Sequence, residues 1–354
     1  MKRLSPLLKI VLWPFSALYG CVLGIRNFCY DKGIFQSTHF GKPYTIVIGN
    51  LSMGGTGKTP HTEWLIKHLQ AHFSICTLSR GYKRSTKGFV LANEQATAQT
   101  IGDEPMQYYL KFPDINVAVA EKRVLGVTQI KSLRPQTELV LLDDAFQHRA
   151  LKADTYILIT DYNAPYYDDA VIPAGALREN KSGAQRADFI IVSKCPKHIS
   201  EQEKLTITKR IQPKAHQQVF FTTIHYLPVY NYWQPNEAVQ LQPLHIALVT
   251  GIAKPAYLMQ ELSAQVQSVK AIHFPDHHYF TEQDIIKIKQ TLDALPHQQR
   301  AILTTEKDLT RLLLHEALLK EWQIPLLVLG IEVQFLGASQ QTLANLLISK
   351  IQHH

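Results

Sequence analysis

Short, nearly continuous apolar runs alternate along most of the chain with stretches of helical period. Thr45–Ile48, Phe73–Ser79, Asn116–Ala120, Leu139–Leu142, Tyr156–Thr160 and Asp188–Ser193 read as strands. Runs apolar at successive positions belong to strands buried on both faces, so the pattern predicts a parallel sheet covered by helices. Helical patterns cover about Thr59–Ala71 and begin again at Ile101-Gly102-Asp103-Glu104-Pro105. From about Ser200 to Gln240 the chain is polar and punctuated by Pro213, Pro228 and Pro235, the composition of a connection. A second, smaller β/α unit follows: Ile246–Thr250, a helix from about Pro255, Val269–Phe274, a helix from Glu282, Ala301–Thr304 and Leu326–Leu329. The expected division is an N-terminal helical segment (1–35), a first α/β domain (36–200), a connection or hinge (201–240) and a smaller α/β domain (241–354).

The first strand runs into Gly49-Asn50-Leu51-Ser52-Met53-Gly54-Gly55-Thr56-Gly57-Lys58-Thr59-Pro60. A glycine-rich turn between a strand and a helix lets successive backbone N–H groups face phosphate oxygens, and the helix start adds its positive dipole end. In such a loop Lys58 reaches the β/γ-phosphates and the Thr59 hydroxyl holds Mg²⁺, which points to a nucleotide as the ligand class. Ser52 stands where a standard loop has its first glycine. About 85 residues after Lys58, the strand Leu139–Leu142 delivers Asp143 and Asp144, the placement of a carboxylate that meets the metal. Both features would sit at the carboxyl edge of one sheet, a P-loop NTPase-like arrangement.

Other candidates are less specific taken singly. Asp103-Glu104 fits helix capping as well as proton acceptance and metal binding. His148 follows the aspartates, and Pro173-Ala174-Gly175 leads to Arg178 and Glu179. Asp276-His277-His278 follows a strand of the second unit, and Thr305-Glu306-Lys307-Asp308 reads as a capped helix start. The four cysteines are scattered, without a paired spacing, and read as reduced thiols. A net charge of +8, from 37 basic and 29 acidic residues, suits an anionic partner. The chain has no helix-turn-helix, zinc or aromatic–basic signature, so nucleic acid is not the expected partner. Leu4 to Ile25 is apolar except for Ser5, Lys9 and Ser16. Lys9 and Pro14 count against a span, and a secretory leader would carry a phosphate loop away from ATP. Leu8, Val11, Leu12, Phe15, Leu18, Tyr19 and Val22 recur at helical spacing, the pattern of a helix lying in a membrane interface.

Together, the loop, Ser79-Arg80-Gly81-Tyr82, Gly102-Asp103-Glu104-Pro105, Asp143-Asp144-Ala145-Phe146-Gln147-His148, Leu177-Arg178-Glu179, Asp276-His277 and Thr305–Asp308 resemble the tetraacyldisaccharide 4′-kinases, the lipid A 4′-kinases of Gram-negative bacteria. The resemblance spans nearly the whole chain, and it is the order and spacing of the motifs that makes it specific. It implies Mg²⁺-ATP-dependent phosphorylation of the 4′-hydroxyl of a tetraacyldisaccharide 1-phosphate at the cytoplasmic face of the inner membrane. Peripheral attachment and no obligate protein partner are expected. Thr59 with Asp143 or Glu104 would hold Mg²⁺, while Ser52, Met53, Gly54, Gly55, Thr56, Gly57 and Lys58 hold ATP. Asp103 and His277 would form a base dyad that assembles when the cleft closes. Arg80, Tyr82, Asp144, His148, Arg178 and Glu179, with Arg123 and Arg149, are candidates for the lipid's phosphate or the transferring one. The competing expectation is a membrane-associated switch ATPase with a deviant loop; such proteins place a lysine where this chain has Met53.

Overall fold

The computed structural model describes residues 5–251, 258–259, 262–337 and 339–354. Lys2 and Arg3, and the start of the helix expected from about Pro255, lie outside the described residues. Helix α1 (Pro6–Asp31) is capped by Ser5, whose hydroxyl accepts the Leu8 N–H at 3.4 Å. Pro6 takes the first turn, where a missing N–H is harmless. The helix continues through Pro14.

Strands β1 (Tyr44–Gly49), β2 (Ile75–Ser79), β3 (Val90–Leu91), β4 (Asn116–Val119), β5 (Leu139–Asp143), β6 (Thr155–Asp161), β7 (Phe189–Ser193) and β8 (Gln218–Tyr226) enter a first sheet. Strands β9 (Tyr230–Asn231), β10 (Gln234–Ala238), β11 (His245–Thr250), β12 (Ser268–His273), β13 (Arg300–Thr305) and β14 (Leu326–Leu329) build a second, in the order β10-β9-β14-β13-β11-β12. Strand β15 (Ile331–Phe335) then returns beside β8, and the first sheet runs β15-β8-β7-β6-β1-β5-β2-β4-β3. Its interior is parallel and its two edge strands are antiparallel.

The helices are α2 (Lys58–Leu69), α3 (Ala98–Ile101), α4 (Asp103–Lys111), α5 (Arg123–Leu133), α6 (Glu201–Ile211), α7 (Glu282–Asp293), α8 (Glu306–Leu312), α9 (Glu316–Glu321) and α10 (Ser339–Gln352). Strand β5 shows why its run is unbroken. Leu139 and Leu141 face Ile66 and Leu69 of α2 and Leu347 of α10, while Val140 and Leu142 face Val127 and Ile130 of α5. Each such side chain contributes about 1.5–3 kcal/mol by leaving water.

Residues 201–240, expected to be a connection, instead carry α6 and the long strand β8 within the first sheet. Polar ends disguise Phe220 and Phe221, which are buried in its middle. The chain passes between the sheets just after β8 and again at Gly330, where the Leu227 N–H donates to the Gly330 carbonyl at 3.0 Å. Two adjacent crossings therefore join the sheets.

Candidate active site

Parallel pairing places Ile48 of β1 opposite Asp143 of β5, so the glycine loop leaves the sheet level with that carboxylate. Gly54 and Gly57 have φ of +112° and +90°, a region that residues with a Cβ rarely enter. Thr56 is buried beneath the loop; its hydroxyl accepts from Asn50 Nδ2 at 3.0 Å and its carbonyl from Ser193 Oγ at 2.6 Å. The segment around Ala176 braces the outside. Met53 N–H donates to Ala176 O and Arg178 N–H to Leu51 O, both at 2.6 Å. Among the described residues no side chain caps α2 at Gly57, which leaves its first-turn N–H groups for an anion.

Lys58 Nζ sits 3.5 Å from Asn50 Oδ1 and 3.7 Å from Asp144 Oδ1. Arg178 donates to both oxygens of Asp144, at 2.7 and 3.1 Å, and also to Asn50. Burial works to raise the Asp144 carboxyl, but Lys58 and Arg178 outweigh it and hold it at about 2. Asp143 is fully buried. Its Oδ2 accepts from Tyr108 Oη at 2.9 Å, whereas its Oδ1 has no partner among the described residues. Burial first, then the carboxylates of Glu104 and Asp144, push it up to about 7. Glu104 is raised by burial and by Asp103, and its Oε1 accepts from Thr59 Oγ1 at 3.4 Å. Thr59, Asp143 and Glu104 thus bring together one carboxylate oxygen without a partner among the described residues and two carboxyls that burial and acidic neighbours push upward.

Asp103 opens α4, with its Oδ1 accepting the Glu104 N–H at 3.0 Å. Its Oδ2 accepts from His277 Nδ1 at 2.7 Å and from Arg311 Nη1 at 3.4 Å. His277 comes from the turn after β12 at φ +58°. The Lys307 ammonium donates to His277 Nε2 at 3.1 Å and to Asp276 at 3.0 Å, and the Tyr82 ring stands edge-on to the imidazole at 5.3 Å. Burial raises Asp103, yet the His277 hydrogen bond and the charges of Lys307 and Arg311 hold it below the ordinary carboxylate range. The pair expected to assemble on closure is already joined in this structure. Thr305 caps α8 as expected, and the same turn positions Lys307 and Arg311. Arg311 escaped the sequence reading, although its spacing of three from Asp308 puts both on one helix face, where they pair.

Other expected residues are placed differently. Glu179 is fully buried, and its two oxygens accept from Gln147 at 2.8 Å, from Arg186 at 2.9 Å and from Asn27 at 3.1 Å. That carboxylate braces α1 against the loop and has no oxygen left for a substrate, since a buried charge needs its partners. Arg123 is buried, bonded to the carbonyls of Ala120 and Asp143, and Arg149 pairs with Asp31 at 2.5 Å. Arg80 is exposed at the end of β2. His148 lies nearby, lowered to about 4 by burial and by Arg123, and is therefore neutral. His278 turns away to Asp284 at 2.8 Å.

Helix α1 is fastened to this region along one side. Ser16 Oγ accepts the Ala174 N–H at 2.8 Å, Asn180 Nδ2 donates to Gly20 O at 2.8 Å, and Asn27 reaches Glu179. Its other sides expose Leu7, Ile10, Val11, Trp13, Leu18 and Val22, an apolar surface suited to a membrane. A groove of about 620 Å³ lies between Trp13, Gly20, Gly24 and Phe28 of α1 and Val171 and Asn180.

The family model described as Tetraacyldisaccharide-1-P 4′-kinase matches residues 8–352. A tetraacyldisaccharide 4′-kinase of Bacteroides thetaiotaomicron is 44% identical over 341 residues, 93% of this chain and 90% of the relative. One of Flavobacterium johnsoniae is 45% identical over 307 residues, covering 86% and 88%. Among solved structures, LpxK from Aquifex aeolicus in complex with ATP superposes with a TM-score of 0.73 at 26% identity, covering 97% of this chain and 99% of that one.

Proposed function

The chain belongs to the tetraacyldisaccharide-1-P 4′-kinase family, and we propose that it transfers the γ-phosphate of ATP to the 4′-hydroxyl of a tetraacyldisaccharide 1-phosphate in lipid A biosynthesis. The observation that carries this reading is local. The phosphate loop, Asp143 and Asp144, and the Asp103–His277 pair converge at one sheet edge, with Thr59 bonded to the neighbour of Asp103. Loop N–H groups and Lys58 hold the donor phosphates. Asp103, kept ionised by its cationic neighbours, orients the acceptor hydroxyl and receives its proton as the new O–P bond forms and the bond to ADP breaks. Because the transition state is loose, a modest base acting late is enough. His277 holds that carboxylate in position, and Lys307 holds His277.

Thr59, Asp143 and Glu104 fit Mg²⁺, given the orphaned Asp143 oxygen and the hard oxygen donors. When bound, the ion would neutralise charge on the donor phosphates. Folding provides a check independent of activity. The folded Asp143 carboxyl, near 7 against an ordinary 3.8, binds a proton that the unfolded chain has released, so stability falls as pH rises through that window. Mg²⁺ without nucleotide is therefore expected to raise the melting midpoint more at pH 8 than at pH 5.5. Equal shifts at both would remove the ion from Asp143.

The exposed side of α1 supports peripheral attachment at the cytoplasmic face, where ATP is available, and the groove beside it offers apolar walls for acyl chains. The test is transfer of labelled γ-phosphate to a disaccharide 1-phosphate lipid, presented in phospholipid vesicles and in detergent. Labelled lipid is the expected product, and hydrolysis of ATP alone would favour the switch-ATPase reading. A variant with Leu18→Glu and Val22→Glu is expected to keep transfer in detergent and lose at least about tenfold on vesicles.

A further inference from the structure

Three side chains from distant parts of the chain meet at the amino edge of the first sheet, opposite the edge that carries the phosphate loop. His39 precedes β1, Asp154 immediately precedes β6, and His354 follows α10. The Nε2 atoms of His39 and His354 lie 2.5 and 3.0 Å from the same oxygen, Asp154 Oδ1. All three atoms fall within 4.8 Å of one another. The Asp154 side chain is only 2% exposed, while the imidazoles are 46% and 31% exposed. Asp154 Oδ2 is already committed, accepting the Thr45 N–H at 2.7 Å and the Thr45 hydroxyl at 2.6 Å. The His354 ring also stands edge-on to Tyr44 at 4.9 Å.

We propose that His39, Asp154 and His354 bind a late first-row divalent cation, Zn²⁺ in the first instance, clipping the end of α10 to the strand that leads into the phosphate loop. Two imidazole nitrogens and one carboxylate oxygen, with water in the fourth position, form a donor set for zinc. They are poor ligands for Mg²⁺, which prefers oxygen throughout. Thr45 supplies what a metal-binding carboxylate needs behind it, fixing the orientation of Asp154 and leaving Oδ1 as the ligand. Tetrahedral zinc at bond lengths near 2.05 Å separates its ligand atoms by about 3.3 Å. The two N–O contacts would therefore open by less than about 1 Å, and the two nitrogens would sit closer than the 4.8 Å limit. Half-exposed imidazoles can make that adjustment by side-chain rotation. Six residues of β1 separate this site from the loop, roughly 20 Å, so it is distinct from the Thr59, Asp143 and Glu104 group.

The experiment is calorimetric titration of Zn²⁺ into the full chain, free of any histidine tag and with excess Mg²⁺ present, alongside the melting midpoint. The native protein is expected to take up one equivalent in the micromolar range or tighter and to melt at a higher temperature. His39→Ala and His354→Ala, both at exposed positions, should each weaken uptake at least tenfold and abolish the thermal shift, with kinase turnover in detergent unchanged. Co²⁺ in place of Zn²⁺ should give the visible absorption of a four-coordinate site, absent from the double variant. Equal uptake by the double variant, or no uptake by the native chain at micromolar Zn²⁺, would overturn the proposal.

Discussion

Lys58→Ala lowers γ-phosphate transfer by at least about 10²–10³-fold, the effect of removing one preorganised positive group from charge that develops during reaction. The side chain is only 14% exposed, and its ammonium lies between Asn50 and Asp144 at the mouth of the loop. Such a placement needs no reorganisation when ATP arrives, which is why the loss falls on the transition state as well as on binding. A second consequence follows from the free enzyme. Lys58 is among the charges that lower both Asp143 and Asp144, so its removal pushes both carboxyls upward. ATP binding by the variant should then weaken further as pH falls towards 6, where protonated Asp143 no longer offers a carboxylate. Lys58→Arg is not expected to restore activity, because a planar fork does not occupy the place of a compact ammonium. Single-turnover transfer of labelled phosphate, with circular dichroism to establish folding, is the measurement. Transfer within tenfold of the native rate would remove Lys58 from the phosphates.

The parts of this site that the sequence exposes are those built from neighbouring residues. Strand β1, its loop and α2 form one continuous unit, and β5 carries its carboxylate at the end of an apolar run. Local period and turn chemistry suffice to find both. What the sequence hides depends on where a strand pairs. Strand β15 sits one residue after β14 yet belongs to the other sheet; the continuous apolar run of β14 and the alternation of β15 mark a buried and an edge strand, but neither says which sheet takes it. Glu179 shows the same limit at a single residue. Its motif position suggested a substrate contact, whereas Arg186, Gln147 and Asn27 enclose it completely. Asp103 and His277 are 174 residues apart and come from different sheets, so only the family resemblance joined them before the structure did. Arg178 is intermediate. It faces the site as expected, but its guanidinium already holds Asp144 and Asn50, a bracing role that residue type alone does not reveal.

Asp103→Asn should reduce kcat by about 10²–10⁴-fold while leaving the affinity for ATP nearly unchanged. The amide keeps the shape of the carboxylate but has no charge and accepts a proton poorly. The Arg311–Asp103 ion pair is lost, but Arg311 would retain Asp308 and Lys307 would retain Asp276, so each cation keeps a carboxylate partner. His277→Ala acts through Asp103. Without the imidazole, Oδ2 loses its 2.7 Å hydrogen bond and keeps only the longer contact from Arg311, and the Lys307 ammonium loses one of its two acceptors. That variant should lose about 10–10²-fold, with the loss in kcat and not in the KM for ATP. The decisive result is the double variant. If the two residues act as one unit, removing both should reduce turnover little beyond Asp103→Asn alone, because the imidazole has no carboxylate left to position. Fully multiplicative losses would mean that His277 meets the lipid separately, and near-native transfer by both single variants would dismiss the dyad. The hydrogen bond that spans the two sheets is what makes the first outcome the expected one. It would join the proposed proton acceptor, at the start of α4 beside the sheet that carries the phosphate loop, to a support from the other sheet.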